Sequence, residues 1–264
     1  MGVGATNVLD RVAASIGELQ EAIPLFKDGI DLPYGGVLLA LPALLANGLL
    51  RGIKDFFKLP KGFYGLESIF LLLGFLALAR IKNPEALRYC SPGEWGKLLG
   101  LDRIPEVKTL RAKIEYLSQK KDEIYTWGAE LSRNWMLEDN PEGVDSLFYV
   151  DGHVRVYFGS QTKLPRHYVS RTKLKLRATV DYWVNGLGGN PFFLINKAVD
   201  PGLLKALEEE IVPHLEENNL KVVSEEELLK NPYHHHFILI FDREGWSPEF
   251  MKRMKTKRIA CLTY

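Results

Sequence analysis

Cysteine, net charge and long apolar runs are all scarce in this sequence. The two cysteines, Cys90 and Cys261, lie far apart, with no CxxC and no Cys/His spacing. That argues against a disulfide framework and a zinc site, and for a reducing compartment. Lys+Arg 34 and Asp+Glu 33 leave a formal net charge of +1 over 264 residues. An anionic partner must therefore be met by local basic patches, not by a global field. The opening MGVGATNVLDRVAAS has no basic segment followed by an apolar core, so no secretory signal is expected. Met-Gly with Thr6 superficially fits a myristoylation pattern, but patterns that short recur by chance. No apolar run reaches the roughly 20 residues needed to span a bilayer. Pro42 and Asn47 interrupt Val37–Leu50, Glu67 interrupts Tyr64–Ala79, and Arg80 and Lys82 follow at once. Both stretches read as buried helices of a bundle, and no membrane partner is expected.

What is present begins with helical periodicity. Val8 to about Lys27 reads as an amphipathic helix, broken at Asp31–Gly36. Ser91 with Glu94 makes a capping box, Pro92 suits the first helical position, and the helix stops near Gly100. Pro105 and Glu106 open a second helix with Val107, Leu110, Ile114 and Leu117 on one face. Lys108, Arg111 and Lys113 lie on or beside its other side. This is either a helix-turn-helix that docks on DNA or an ordinary helical hairpin with solvated lysines. Lys120–Asn140 reads as a further helix with Ile124, Trp127, Leu131 and Trp135 on one side, ended by Asn140-Pro141-Glu142-Gly143. There the period changes from 3.6 to 2. The expected domains are a helical region over 1–140 and an α/β region over 145–264.

Ser146–Gly159, SLFYVDGHVRVYFG, reads as two strands joined at a tight turn at Asp151-Gly152. No acidic residue occurs from Gly152 to Val180, while Arg155, Lys163, Arg166, Arg171 and Lys173 accumulate, with Lys175 and Arg177 behind them. Such a stretch suits a phosphate-backbone surface, or else a charged outer strand face. Asp181–Asn185 and Phe192–Ile195 read as strands around a glycine turn. Its GLGG lacks the Lys-Ser/Thr of a phosphate loop. Asp200 and Pro201 start a helix to Asn218. His234–His236 read as loop histidines and not as a metal cluster, since strand neighbours point to opposite faces. Phe237–Asp242, FILIFD, is a strand buried on both faces, Ser247 and Pro248 start a helix, and Ile259–Tyr264 is a last strand. LFYVD and FILIFD each end in an aspartate. If the two strands are adjacent, Asp151 and Asp242 meet at the carboxyl edge, where open α/β sheets place their sites. Paired carboxylates are hard ligands suited to Mg²⁺, and two such ions serve phosphodiester chemistry. Asp181 is a competing acid, and a turn-adjacent aspartate is often structural.

Five blocks in order resemble the DDE transposases of bacterial and archaeal insertion sequences. They are Arg80–Arg111 (RIKNPEALRYCSPGEWGKLLGLDRIPEVKTLR), Tyr149–Gly159, Leu164–Arg171 (LPRHYVSR), Asp181–Asn185 (DYWVN) and Phe241–Pro248 (FDREGWSP). The resemblance implies an RNase H-like catalytic sheet, with Asp151 and Asp242 as catalytic metal ligands for Mg²⁺ or Mn²⁺. It implies cleavage and strand transfer on double-stranded DNA, at element ends and target, by a homo-oligomer in the prokaryotic cytoplasm, at the nucleoid. The family also needs a third acid, usually Glu, on a helix after the last strand, and the sequence ends at Tyr264 before one. The expectation is a sheet lacking its final helix and inactive alone. The alternative is a non-catalytic DNA-binding remnant or regulator of transposition.

Overall fold

The structure, a computed structural model, describes residues 8–26, 28, 31–139, 146–160, 162–219, 223–231 and 233–263. The chain divides into two compact units, Met1–Trp127 and Gly128–Tyr264. Asn140–Gly143, read as a helix end and boundary, lies outside the described residues.

The first unit is helical among its described residues. Its elements are α1 (Val8–Ser15), α2 (Leu41–Ala46), α3 (Ile53–Phe56), α4 (Leu66–Leu78), α5 (Pro92–Leu98), α6 (Val107–Ser118) and the start of α7 (Lys121–Asp139). Ile69, Leu72, Phe75 and Leu76 recur at helical spacing along α4 and are buried with Trp95, Leu98 and Leu110. The sequence overextends the first helix. α1 stops at Ser15, and Gly17 follows in the left-handed region at φ 76. Val37–Leu50 is likewise a 3₁₀ turn (Gly35–Ala40), the short α2 and further turns, with Pro42 in the first turn of α2. No helix among the described residues is long and apolar enough to cross a membrane.

The α5–α6 pair is set by its turn. Gly100 takes φ +66, and its N–H and that of Leu101 bond to the carbonyls of Lys97 and Gly96. The chain then turns so closely that a Cβ on Gly96 would sit 2.4 Å from the Arg103 Cα. The capping box expected at Ser91 does not form: the Ser91 side chain makes no cap bond. The Arg11 guanidinium stacks 3.4 Å from the centroid of Phe63 and bonds to Asp102 and to the Tyr64 hydroxyl, so a cation–π contact and an ion pair share one side chain.

The second unit is a mixed six-stranded sheet with flanking helices. Its strands are β1 (Leu147–Val156), β2 (Arg166–Val169), β3 (Leu174–Asn185), β4 (Pro191–Lys197), β5 (Phe237–Phe241) and β6 (Ile259–Thr263). The strand order is β2-β3-β1-β5-β6, and β4 also pairs with β3. β1, β3 and β4 pair antiparallel, while β5 runs parallel to β1 and β6 parallel to β5. The helices are α8 (Leu203–Ala206), α9 (Val212–Asn218), α10 (Glu225–Lys230) and α11 (Pro248–Thr256). Phe148, Val150, Val184, Leu207, Ile211 and Phe250 are fully or almost fully buried in one core.

Two sequence expectations are corrected here. Asp151-Gly152 is not a hairpin turn. β1 runs straight through it, with Asp151 opposite Trp183 and Gly152 opposite Tyr182 in one unbroken antiparallel register from Tyr149 to Val156. A dipeptide that favours a turn is overruled when cross-strand pairing continues on both sides of it. The helix after Asp200 begins at Leu203, behind Gly202, and passes through a π-helical stretch over Leu207–Ile211 before α9. Pro213 lacks the N–H that would bond back to Glu209, and its ring crowds that carbonyl, which accounts for the wider turn. Ser247 does cap α11, its Oγ accepting from the Phe250 N–H at 3.3 Å.

Candidate functional site

β1 and β5 are neighbours, parallel and in register up to Val150↔Phe241. Asp151 and Asp242 are the next residues on each strand, so the topology brings these two carboxylates side by side. β1 continues past this point against β3 alone, whereas β5 stops. The Asp242 Oδ1 accepts the Glu244 N–H at 3.0 Å and so caps a 3₁₀ turn over Arg243–Gly245. Asp151 is exposed. Near this edge the Tyr182 hydroxyl donates to Asp200. Burial, then that bond, raises the Tyr182 pKa, which keeps the hydroxyl a donor. Among the described residues, no three His, Cys, Asp or Glu side chains converge to hold a metal ion. That holds for His234–His236 as well. A cavity of about 310 Å³ touched by Leu215, His236, Phe237 and Ile259 lies at the opposite, amino ends of β5 and β6.

Asp181 has a different environment. Its side chain is 0% exposed, with Oδ2 2.6 Å from the Arg155 Nη2. The Asn196 amide donates to the other oxygen. In register it faces His153, two residues along β1 from Asp151. A buried carboxylate ion-paired through Oδ2 with one guanidinium and hydrogen-bonded through Oδ1 by one amide is a fixed anchor for Arg155. Neither Arg155–Asp181 nor Asp181–Asn196 has a sequence signal, because both depend on strand register.

The other cations considered from sequence fall into two groups. Lys163 is exposed in the segment before β2, and Arg166, Arg171 and Lys173 are exposed on or at the tip of the β2–β3 hairpin. Lys108, Arg111 and Lys113 belong to α6 in the first unit. Lys108 is exposed, Arg111 pairs with Glu85, which also holds Arg88 at 2.9 Å, and Lys113 is half-buried. Burial pushes the Lys113 pKa down, whereas the pairing with Arg111 holds the Glu85 carboxyl below its usual range.

No curated protein and no solved structure matches the chain. A protein family described as "Transposase protein" matches residues 2–264. With that match running over nearly all of the 264 residues, the chain belongs to this transposase family.

Proposed function

We propose that the chain is a DNA transposase of the DDE class, with Asp151 and Asp242 as two of its metal-binding acids on an RNase H-like sheet. The observation that carries the reading is the in-register parallel pairing of β1 with β5 up to Val150↔Phe241. It sets two carboxylates on adjacent strands at a carboxyl edge. The sheet supports the same reading: an antiparallel β1-β3-β4 part joined through β1 to parallel β5 and β6.

The donor chemistry fits a divalent cation. Both groups are hard oxygen donors, Asp151 is exposed, and the backbone bond that Asp242 accepts from the Glu244 N–H goes to Oδ1. A bound Mg²⁺ or Mn²⁺ would supply Lewis-acid activation of a water or hydroxyl and charge neutralisation at a phosphodiester. Asp151 and Asp242 would hold it. With no third acid beside them among the described residues, the chain alone is expected to bind metal weakly and not to transfer strands. That observation also favours a second reading, a DNA-binding regulator of transposition that does not cut. Self-association on paired ends is expected of either at the nucleoid.

Two measurements test this: Mn²⁺ binding by calorimetry, and nicking of supercoiled DNA with Mg²⁺ or Mn²⁺. The unaltered chain should bind Mn²⁺, and Asp151→Ala and Asp242→Ala should each abolish binding. Unchanged Mn²⁺ affinity in the double variant would refute the metal assignment. Aspartate-dependent nicking would favour the enzyme, and salt-dependent DNA binding without nicking the regulator.

A further inference from the structure

The sheet face that carries Asp151 does not end at the carboxyl edge. Beyond its pairing with β5, β1 runs on against β3 to Val156↔Ala178. Farther out, β2 pairs with β3 over Leu174–Arg177, so a two-stranded antiparallel ribbon extends along the same strand. Side chains alternate along a strand. Asp151, His153 and Arg155 therefore share a face with Trp183, Asp181 and Thr179 opposite them. Farther along β3, Arg177 and Lys175 point the same way, with Arg166 and Tyr168 of β2 directly across. Arg166, Arg177 and Lys175 are exposed, and Tyr168 is 55% exposed. From Asp151 outward, the one acid of these strands on this face is Asp181, buried and committed to Arg155 at 2.6 Å.

Two features of the ribbon work against its own stability. Arg166 sits directly opposite Arg177, a like-charge pair that disfavours strand pairing. At the tip, Lys173 takes φ 55, a left-handed conformation that suits glycine or asparagine. Both local rules are broken by cations, on one element, on or next to one face. Departures of this kind cluster at functional sites.

The geometry points to β2–β3 as a ribbon that grips duplex DNA along the face leading to Asp151 and Asp242. This rests on the reading of those aspartates as the site of phosphodiester chemistry. Trp183, opposite Asp151, is eight residues from Lys175. At about 3.4 Å per residue the track is roughly 27 Å long. That matches about eight base pairs of B-DNA at 3.4 Å each. A two-stranded ribbon fits the major groove, and arginines opposed across it can meet phosphates or guanine edges. Asp181 is a positioning residue: it holds Arg155 on the path between the ribbon and the acids.

The test uses the full chain and a fluorescein-labelled 40-base-pair duplex, with anisotropy read across a salt series. For the unaltered chain, log affinity should fall steeply with log salt. Arg166→Gln/Arg177→Gln should lower that slope by about 2, near 0.9 per lost phosphate contact, without lowering the melting temperature. Lys173→Gly should lower it by about 1 while leaving the fold as stable or more so. Lys252→Gln/Lys255→Gln, exposed on α11, should leave it unchanged. A benzoylphenylalanine in place of Tyr168 should photocross-link to the duplex, and one in place of Tyr233 should not. If the chain binds duplex with an unchanged slope in the ribbon variants and no cross-link at position 168, the ribbon is not the contact. Ribbon-dependent binding confined to single-stranded DNA or to RNA would also overturn the proposal. Failure of the underlying reading shows separately, as Mn²⁺ affinity indifferent to both aspartates.

Discussion

Asp242 does two jobs that asparagine and alanine separate. It caps the Arg243–Gly245 turn through Oδ1 and the Glu244 N–H at 3.0 Å, and it stands beside Asp151 at the end of the β1–β5 pairing. Asparagine caps about as well as aspartate, whereas alanine at a cap costs about 1 kcal/mol. Neighbouring strands lie about 4.8 Å apart, and two carboxylates borne on them at a separation of roughly 6 Å would repel by about 0.7 kcal/mol at the dielectric of water. The water value applies because Asp151 is exposed. Asp242→Asn keeps the cap and relieves the repulsion, so it should stabilise the second unit by about 0.7 kcal/mol. Asp242→Ala gains the same relief and loses the cap, for a net loss of about 0.3 kcal/mol. Urea unfolding with hydrogen exchange at the β5 amides reads the second unit directly. Mn²⁺ at ten times its dissociation constant should add about 1.4 kcal/mol to the unaltered chain and nothing to either variant. If Asp242→Asn destabilises as much as Asp242→Ala, the two carboxylates do not repel. Asp151 and Asp242 would then not form a charged site.

Two further perturbations test the scaffold. Gly96→Ala would put a Cβ 2.4 Å from the Arg103 backbone, where no side chain can give way. Thermal unfolding should show the first unit destabilised by about 1–3 kcal/mol. Gly128→Ala, with nothing within 4 Å inside α7, serves as the control and should not destabilise. His214 packs on the Phe193 ring at 4.1 Å between centroids, and burial lowers its pKa. The unfolded chain then takes up that proton first as pH falls. The contribution is fully present above the unfolded value of about 6.5 and is lost as pH drops toward the depressed folded value. His214→Leu should flatten the fall in urea midpoint between pH 7 and 5. A decline as steep as in the unaltered chain would place the acid sensitivity elsewhere.

Period was legible in this sequence, and register was not. The strand character of β4, the apolar run of β5 and the stripe of α6 are local signals and place those elements, whereas β1 reads as two strands, only Asp181–Asn185 of β3 is legible, and nothing marks Arg166–Val169 as β2. The same local reading failed where a distant partner decides. Asp151-Gly152 has the composition of a turn, but Trp183 and Tyr182, about thirty residues on, hold it in a strand. Ser91 and Glu94 have the spacing of a capping box, but the turn at Gly100 and the close pass of Arg103 over Gly96 fix the helix without it. That β1 and β5 are adjacent could be posed as the condition for Asp151 and Asp242 to meet, which the β1–β5 pairing fulfils. That Arg166 opposes Arg177, or that Asp181 holds Arg155, could not, because one residue of slip sends each side chain to the other face. The acid-free run from Gly152 to Val180 therefore gave a quantity of charge without a direction. Register supplies the direction. It puts Arg155, Arg166, Lys175 and Arg177 on the side of the sheet that carries Asp151, and leaves His167, Val169 and Leu176 on the other.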